Sequence, residues 1–115
     1  MADVLFSRIT WYARRHLTDR TLGPAQLAAV HNVSVRYLYK LFAEHHRSLE
    51  QWLITERLRG AARELKDPAG DHLPISAIAA RWGFDDAAHF ARRFRAAYGV
   101  TPREWRRGSS STGGG

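Results

Sequence analysis

A chain of 115 residues and 13.1 kDa suffices for one domain with a modest core, and its 44% apolar and 25% charged residues exclude a disordered or collagen-like polymer. Eighteen Lys and Arg against eleven Asp and Glu give a net charge of +7, a surface suited to a polyanion, with solubility charge as the plainer alternative. Without cysteine, disulfide frameworks, thiolate zinc sites and cysteine nucleophiles fall away.

No apolar run approaches the roughly 18 residues that span a bilayer. The start, Met1-Ala2-Asp3-Val4, lacks the basic-then-apolar order of a signal peptide, so a soluble cytoplasmic chain without membrane contact is expected. Sixteen of the eighteen basic residues are Arg, the better fork for phosphate and guanine.

Every periodic segment has helical spacing and none alternates long enough for a strand, which predicts an all-α fold. Asp3 is placed to cap a first helix whose Leu5, Ile9, Tyr12, Ala13 and His16 share a stripe and which ends near Leu17. Gly23-Pro24 starts a second, with Leu27, Ala28 and His31 on one face, and Asn32 interrupts it after two turns. Ser34 then caps a third helix running to about His46. Leu38, Leu41, Phe42 and His45 share one side of it, and Arg36, Tyr39, Lys40 and Ala43 the other.

Ser48-Leu49-Glu50-Gln51 reads as a capping box for the longest helix, about 18 residues and roughly 27 Å, with Trp52, Leu53, Leu58, Ala61, Ala62 and Leu65 apolar. Residues 67–72 are turn formers and make a linker. Pro74 opens a short helix with Ile75, Ile78, Ala79 and Trp82, which Gly83 stops. Asp86 is placed to cap the next, with Phe90, Phe94 and Ala97 as core stripe. Gly99 ends it, and Thr101-Pro102-Arg103-Glu104 is a capping box for a last helix that returns Trp105 to the core. The expected organisation is a first lobe with connecting helix over residues 3–66, a second lobe over 74–107 and a flexible Gly/Ser tail over 108–115.

The two tight helix pairs repeat. Ala28, Asn32 and Val33 match Ala79, Gly83 and Phe84 at an offset of 51, and Leu38 and Phe42 match Phe90 and Phe94 at 52. A small residue where two helices cross, a turn former four later and an apolar anchor beyond it follow the spacing logic of a helix-turn-helix. Two in tandem, on a connecting helix of roughly 27 Å, suit successive major grooves about 34 Å apart.

From Ile78-Ala79-Ala80-Arg81-Trp82-Gly83-Phe84 through Asp86, His89-Phe90, Arg92, Phe94-Arg95, Tyr98-Gly99 and Thr101-Pro102 to Trp105-Arg106, the chain resembles the C-terminal signature of the AraC/XylS family of bacterial transcription regulators. Leu27-Ala28, Val33 through Phe42, Arg57-Leu58 and Ala61-Ala62 are similar to that family's first unit. The resemblance covers about residues 5–107. It implies about seven helices in two helix-turn-helix lobes joined by a long central helix, binding of double-stranded DNA, and activation of transcription through RNA polymerase. By resemblance, Arg36, Tyr39 and Lys40 match base-facing positions of the first recognition helix, and Ala87, Ala88, His89 and Arg92 those of the second. Ala88 and Ala91 stand where members often carry Ser or Thr, so hydrogen-bonded readout by the second helix is expected to be weak. The effector-binding domain that usually precedes such a unit is expected to be absent from this chain, which should act as a monomer.

Plainer readings stand beside these. Arg36, Tyr39, Lys40 and Arg92 also fit a solvated face, His89 a base contact or a surface histidine, and Arg103, Arg106 and Arg107 a solvated basic end or a phosphate clamp. Arg93 and Arg95 fit intramolecular partners or phosphate neighbours, and Trp11, Trp52, Trp82 and Trp105 fit core anchors. His45-His46 lacks a second pair at metal-ligand spacing, and no nucleophile, base and acid converge, so no metal, cofactor or enzymatic activity is expected. The rival classes are a basic helical partner-binding or membrane-surface module and an RNA binder. Dispersed Arg residues and the helix-turn-helix repeat count against the first, and the lack of an exposed aromatic cluster against the second.

Overall fold

The computed structural model describes the backbone of residues 2–114 and the side chains of residues 3–108. Among these the chain is all-α: α1 (Ala2–Arg15), α2 (Pro24–Val30), α3 (Val35–Glu44), α4 (Leu49–Leu65), α5 (Ile75–Arg81), α6 (Ala87–Tyr98) and α7 (Pro102–Gly114), with a 3-10 turn at Pro68–Gly70. None of these helices is long and apolar enough to cross a membrane. The expected tail at 108–115 lies, past Gly108, outside the residues whose side chains are described.

The helices begin and end where local chemistry dictates. Ser34 Oγ accepts the Tyr37 N–H at 3.0 Å, and Asp86 Oδ1 accepts the N–H groups of Ala88 at 2.9 Å and His89 at 3.2 Å, satisfying donors that a first turn leaves open. Thr101 and Glu104 close a reciprocal box at the head of α7. Asp3, by contrast, falls inside the first turn of α1, which starts at Ala2, and its carboxylate goes to His45.

The two turns are closed by the same hydrogen bonds. Asn32 and Gly83 are left-handed, with φ 60° and 91°. The Val33 N–H reaches the Ala28 carbonyl at 3.0 Å, and the Phe84 N–H reaches the Ala79 carbonyl at 2.9 Å. This is the bond that seals a helix end when the next residue turns left-handed. The extra residue of the second unit is Asp85, between Phe84 and the cap Asp86.

The chain forms two compact units, Met1–Glu56 and Arg57–Gly115, so α4 gives its first half to one and its second half to the other. The sequence reading, with lobes over 3–66 and 74–107, keeps α4 whole with the first lobe. In the first unit Ile9, Ala13, Leu27, Leu38, Leu41, Phe42 and Trp52 are buried, with Phe42 edge-on to both Phe6 and Trp52. Buried Glu56 receives the Arg14 guanidinium at 3.1 Å.

In the second unit Leu58, Ala61, Leu65, Ile78, Ala79, Phe90 and Phe94 form the core. Fully burying each large side chain contributes about 1.5–3 kcal/mol. Ala97 is exposed; Tyr98, four residues after Phe94, instead stacks toward Trp105 at 5.0 Å. Trp105 Nε1 donates to the Ala62 carbonyl at 3.0 Å, and Trp82 Nε1 to Glu64 at 2.7 Å. Trp52, Trp82 and Trp105 thus anchor the interior, whereas Trp11 is 61% exposed on the outer face of α1.

Candidate nucleic-acid interface

In each unit a short helix with two buried residues supports a longer capped one: α2 packs on α3, and α5 on α6. The supporting contact fixes which face of the longer helix is left to solvent. On α3, Leu38, Leu41 and Phe42 are fully buried, and Arg36, Tyr39, Lys40 and Ala43 are exposed on the opposite side, as the periodicity predicts. Arg36 and Lys40 lie one turn apart and make no hydrogen bond or ion pair among the described residues. Both guanidinium and ammonium are free for an anion or a base edge.

Tyr39 is arranged differently. Its hydroxyl donates to the Glu50 carboxylate at the start of α4, and that bond raises the phenol above its ordinary range. Glu50 therefore occupies the Tyr39 donor and brings a negative charge beside the cationic face. In the Ser48–Gln51 capping box Ser48 Oγ accepts the Gln51 N–H at 3.4 Å, while Glu50, between them, turns to the phenol.

On α6, Phe90 and Phe94 are buried and Ala87, Ala88, His89 and Arg92 are exposed. The Asp86 carboxylate lies below the usual carboxylate range, held there by the His89 and Ala88 N–H groups and, less, by the charge of Arg92. Arg92 is exposed and makes no hydrogen bond or ion pair among the described residues, but lies near enough for its charge to act on the Asp86 carboxylate. At the offset of 52 set by the two caps, Arg36 stands where Ala88 stands, Lys40 where Arg92 stands, and Tyr37 where His89 stands. Tyr37, 37% exposed on α3, is not among the residues expected above. The repeat register was the signal that could have found it.

Other basic residues resolve by contact. Arg106 Nη1 donates to the Leu73 carbonyl at 2.9 Å, so it ties α7 to the segment before α5 and does not extend as a clamp. Arg95 lies close enough to Glu104 to help hold that carboxylate low, after the Thr101 backbone and side chain. His45 is stacked on Phe6 at 3.8 Å and hydrogen-bonded to the Leu41 carbonyl and Asp3.

A family model described as a helix-turn-helix domain matches residues 27–108. The transcriptional activator NphR of Rhodococcus is 29% identical over 101 residues, 88% of this chain and 29% of NphR, so the chain spans less than a third of that relative. The C-terminal domain of AraT, a response regulator from Geobacillus stearothermophilus, superposes with a TM-score of 0.76 at 32% identity, covering 90% of this chain and 84% of that one. The DNA-binding domain of the global transcriptional factor AdpA, solved with a target DNA, shares the fold with a TM-score of 0.78 at 24% identity, over 92% of this chain and 93% of that one. With the tandem sealed turns and their capped outer helices, these matches establish that the chain belongs to the AraC-type helix-turn-helix family of DNA-binding transcription regulators.

Proposed function

We propose that this chain recognises one asymmetric duplex site as a monomer, with α3 and α6 entering successive major grooves. The observation that carries the reading is the twice-built unit: the same sealed turn presents a capped helix whose outer face is free, and on α3 that face holds two unpaired cations. In this reading Arg36 and Lys40 donate to guanine O6 and N7, Tyr39 offers its ring with the hydroxyl held by Glu50, and His89 and Arg92 are the polar contacts of the second helix. Ala87 and Ala88 touch thymine methyl groups. The two lobes, residues 3–66 and 74–107, read different sequences because the outer residues of α3 and α6 differ at every equivalent position.

The chain acts in the cytoplasm and has no catalytic activity of its own. The name of NphR, a transcriptional activator, supports activation through RNA polymerase as the outcome of binding. Selection from a random duplex library, followed by sedimentation of the complex on the enriched site, tests the reading. A non-palindromic motif about two helical turns long, bound by one chain, is expected. No enriched motif, or a strict need for two chains on a two-fold site, would overturn it.

A further inference from the structure

The outer face of α1 carries a second stripe that neither the core nor the reading helices use. Val4, Arg8, Trp11 and Arg15 follow i, i+4, i+7 and i+11, so they share the side opposite buried Ile9 and Ala13. Val4 and Trp11 are each 61% exposed, and Val30 at the end of α2 is 50% exposed. Together with Arg8 they line an open cleft of about 740 Å³. Exposed apolar side chains grouped beside unpaired cations suit an interaction surface, and Trp is a common central anchor in such surfaces.

Cations outnumber carboxylates beside it. Of the cations on α1, Arg14 turns inward to Glu56, whereas Arg8 makes no hydrogen bond or ion pair among the described residues and Arg15 lies only over the Trp11 ring, at 4.7 Å. The one carboxylate among the lining residues, Asp3, is 93% exposed and lies 3.1 Å from His45 Nε2.

We propose that this face of the first unit docks an acidic amphipathic helix of a protein partner. An apolar side chain of that helix enters between Val4, Trp11 and Val30, and carboxylates one turn to either side pair with Arg8 and Arg15. A phosphate backbone would engage the two Arg residues but leave three apolar side chains in water. A second copy meeting this face symmetrically would set Arg8 and Arg15 against their own counterparts. A neutral apolar small molecule would leave both cations unanswered.

The probe is a capped 18-residue helical peptide with Leu at i, i+3 and i+7 and Glu between them, titrated into the isotope-labelled full chain beside a peptide with Gln in place of Glu. Saturable binding is expected, with the largest amide shifts at Val4, Arg8, Trp11 and Val30 and at least tenfold weaker binding of the Gln peptide. Trp11→Ala, Arg8→Glu and Arg15→Glu are each expected to weaken the peptide at least tenfold while leaving duplex affinity within twofold; because these side chains are exposed, the fold should persist. Four outcomes would overturn the proposal. They are no saturable binding or shifts centred elsewhere, equal binding of the Gln peptide, self-association that Trp11→Ala abolishes, and a loss of duplex affinity in Arg8→Glu as large as in Lys40→Ala. Shift mapping on the unsubstituted chain decides the matter even where a variant fails to fold.

Discussion

Gly60 has no room for a side chain, because a Cβ there would lie 2.1 Å from the Trp82 ring. That ring cannot swing aside freely, being held by its bond to Glu64. Gly60→Ala is therefore expected to destabilise the protein by about 1–3 kcal/mol, as overpacking does, lowering the urea midpoint without altering the slope. His45 is held above the ordinary histidine range, first by the Leu41 carbonyl and then by Asp3. A raised folded-state value means that its stabilisation is fully present below the unfolded histidine value and is lost as pH rises through the folded one. Titration followed by NMR should show His45 above a free histidine, and Asp3→Asn should move it partway back. At the reading surface, Arg36→Ala should relax base preference in one half-site by about 1–3 kcal/mol, whereas Ala88→Ser should change the other only modestly, because it adds a single hydroxyl where no bidentate pair forms. Binding to single-base variants across both half-sites measures this. An unchanged preference in Arg36→Ala would remove Arg36 from the contacts.

At the scale of elements, equivalent helices begin with caps of different chemistry. Ser34 at α3 does not titrate, whereas Asp86 at α6 and Glu104 in the box of α7 are carboxylates held below their usual range by backbone N–H groups. A lowered carboxylate stabilises the folded state above its ordinary value and loses that contribution as pH falls through its folded-state value. Acid should fray the starts of α6 and α7 before that of α3. Amide exchange at Ala88 and His89, compared with Tyr37, from neutral to strongly acid pH checks the order; simultaneous loss of protection at both starts would refute it. Ser34→Ala should cost about 1 kcal/mol at any pH.

At the scale of the molecule, a net charge of +7 makes phosphate neutralisation the leading contribution to DNA affinity, so log affinity should fall linearly with log salt. Lys40→Ala should flatten that slope by about one if the ammonium meets a phosphate, and should instead relax base preference at nearly constant slope if it meets guanine. Measuring affinity against salt on matched and mismatched duplexes separates the two. Neither effect would show that Lys40 makes no contact in the complex. Each compact unit carries one of the two helix-turn-helix elements, so substitutions confined to the first unit are expected to act on one half-site.

The sequence by itself determined the helices and their caps, because each depends on residues close together along the chain, and the tandem repeat, because its unit recurs at offsets of 51 and 52. Ser34, Asp86, Thr101 with Glu104, and the left-handed Asn32, Gly83 and Gly99 all sit where their local chemistry requires. The exposed set Arg36, Tyr39 and Lys40 was legible for the same reason: opposite faces of a helix follow from a period of 3.6. Tertiary packing decided what periodicity does not contain. It left Trp11 outside, chose Tyr98 over Ala97 for the interior, turned Arg106 onto the Leu73 carbonyl and buried Glu56 against Arg14. It also gave the Tyr39 hydroxyl to Glu50, eleven residues away. Each of these outcomes depends on which side chain another helix brings near, and a pattern confined to one helix cannot specify that.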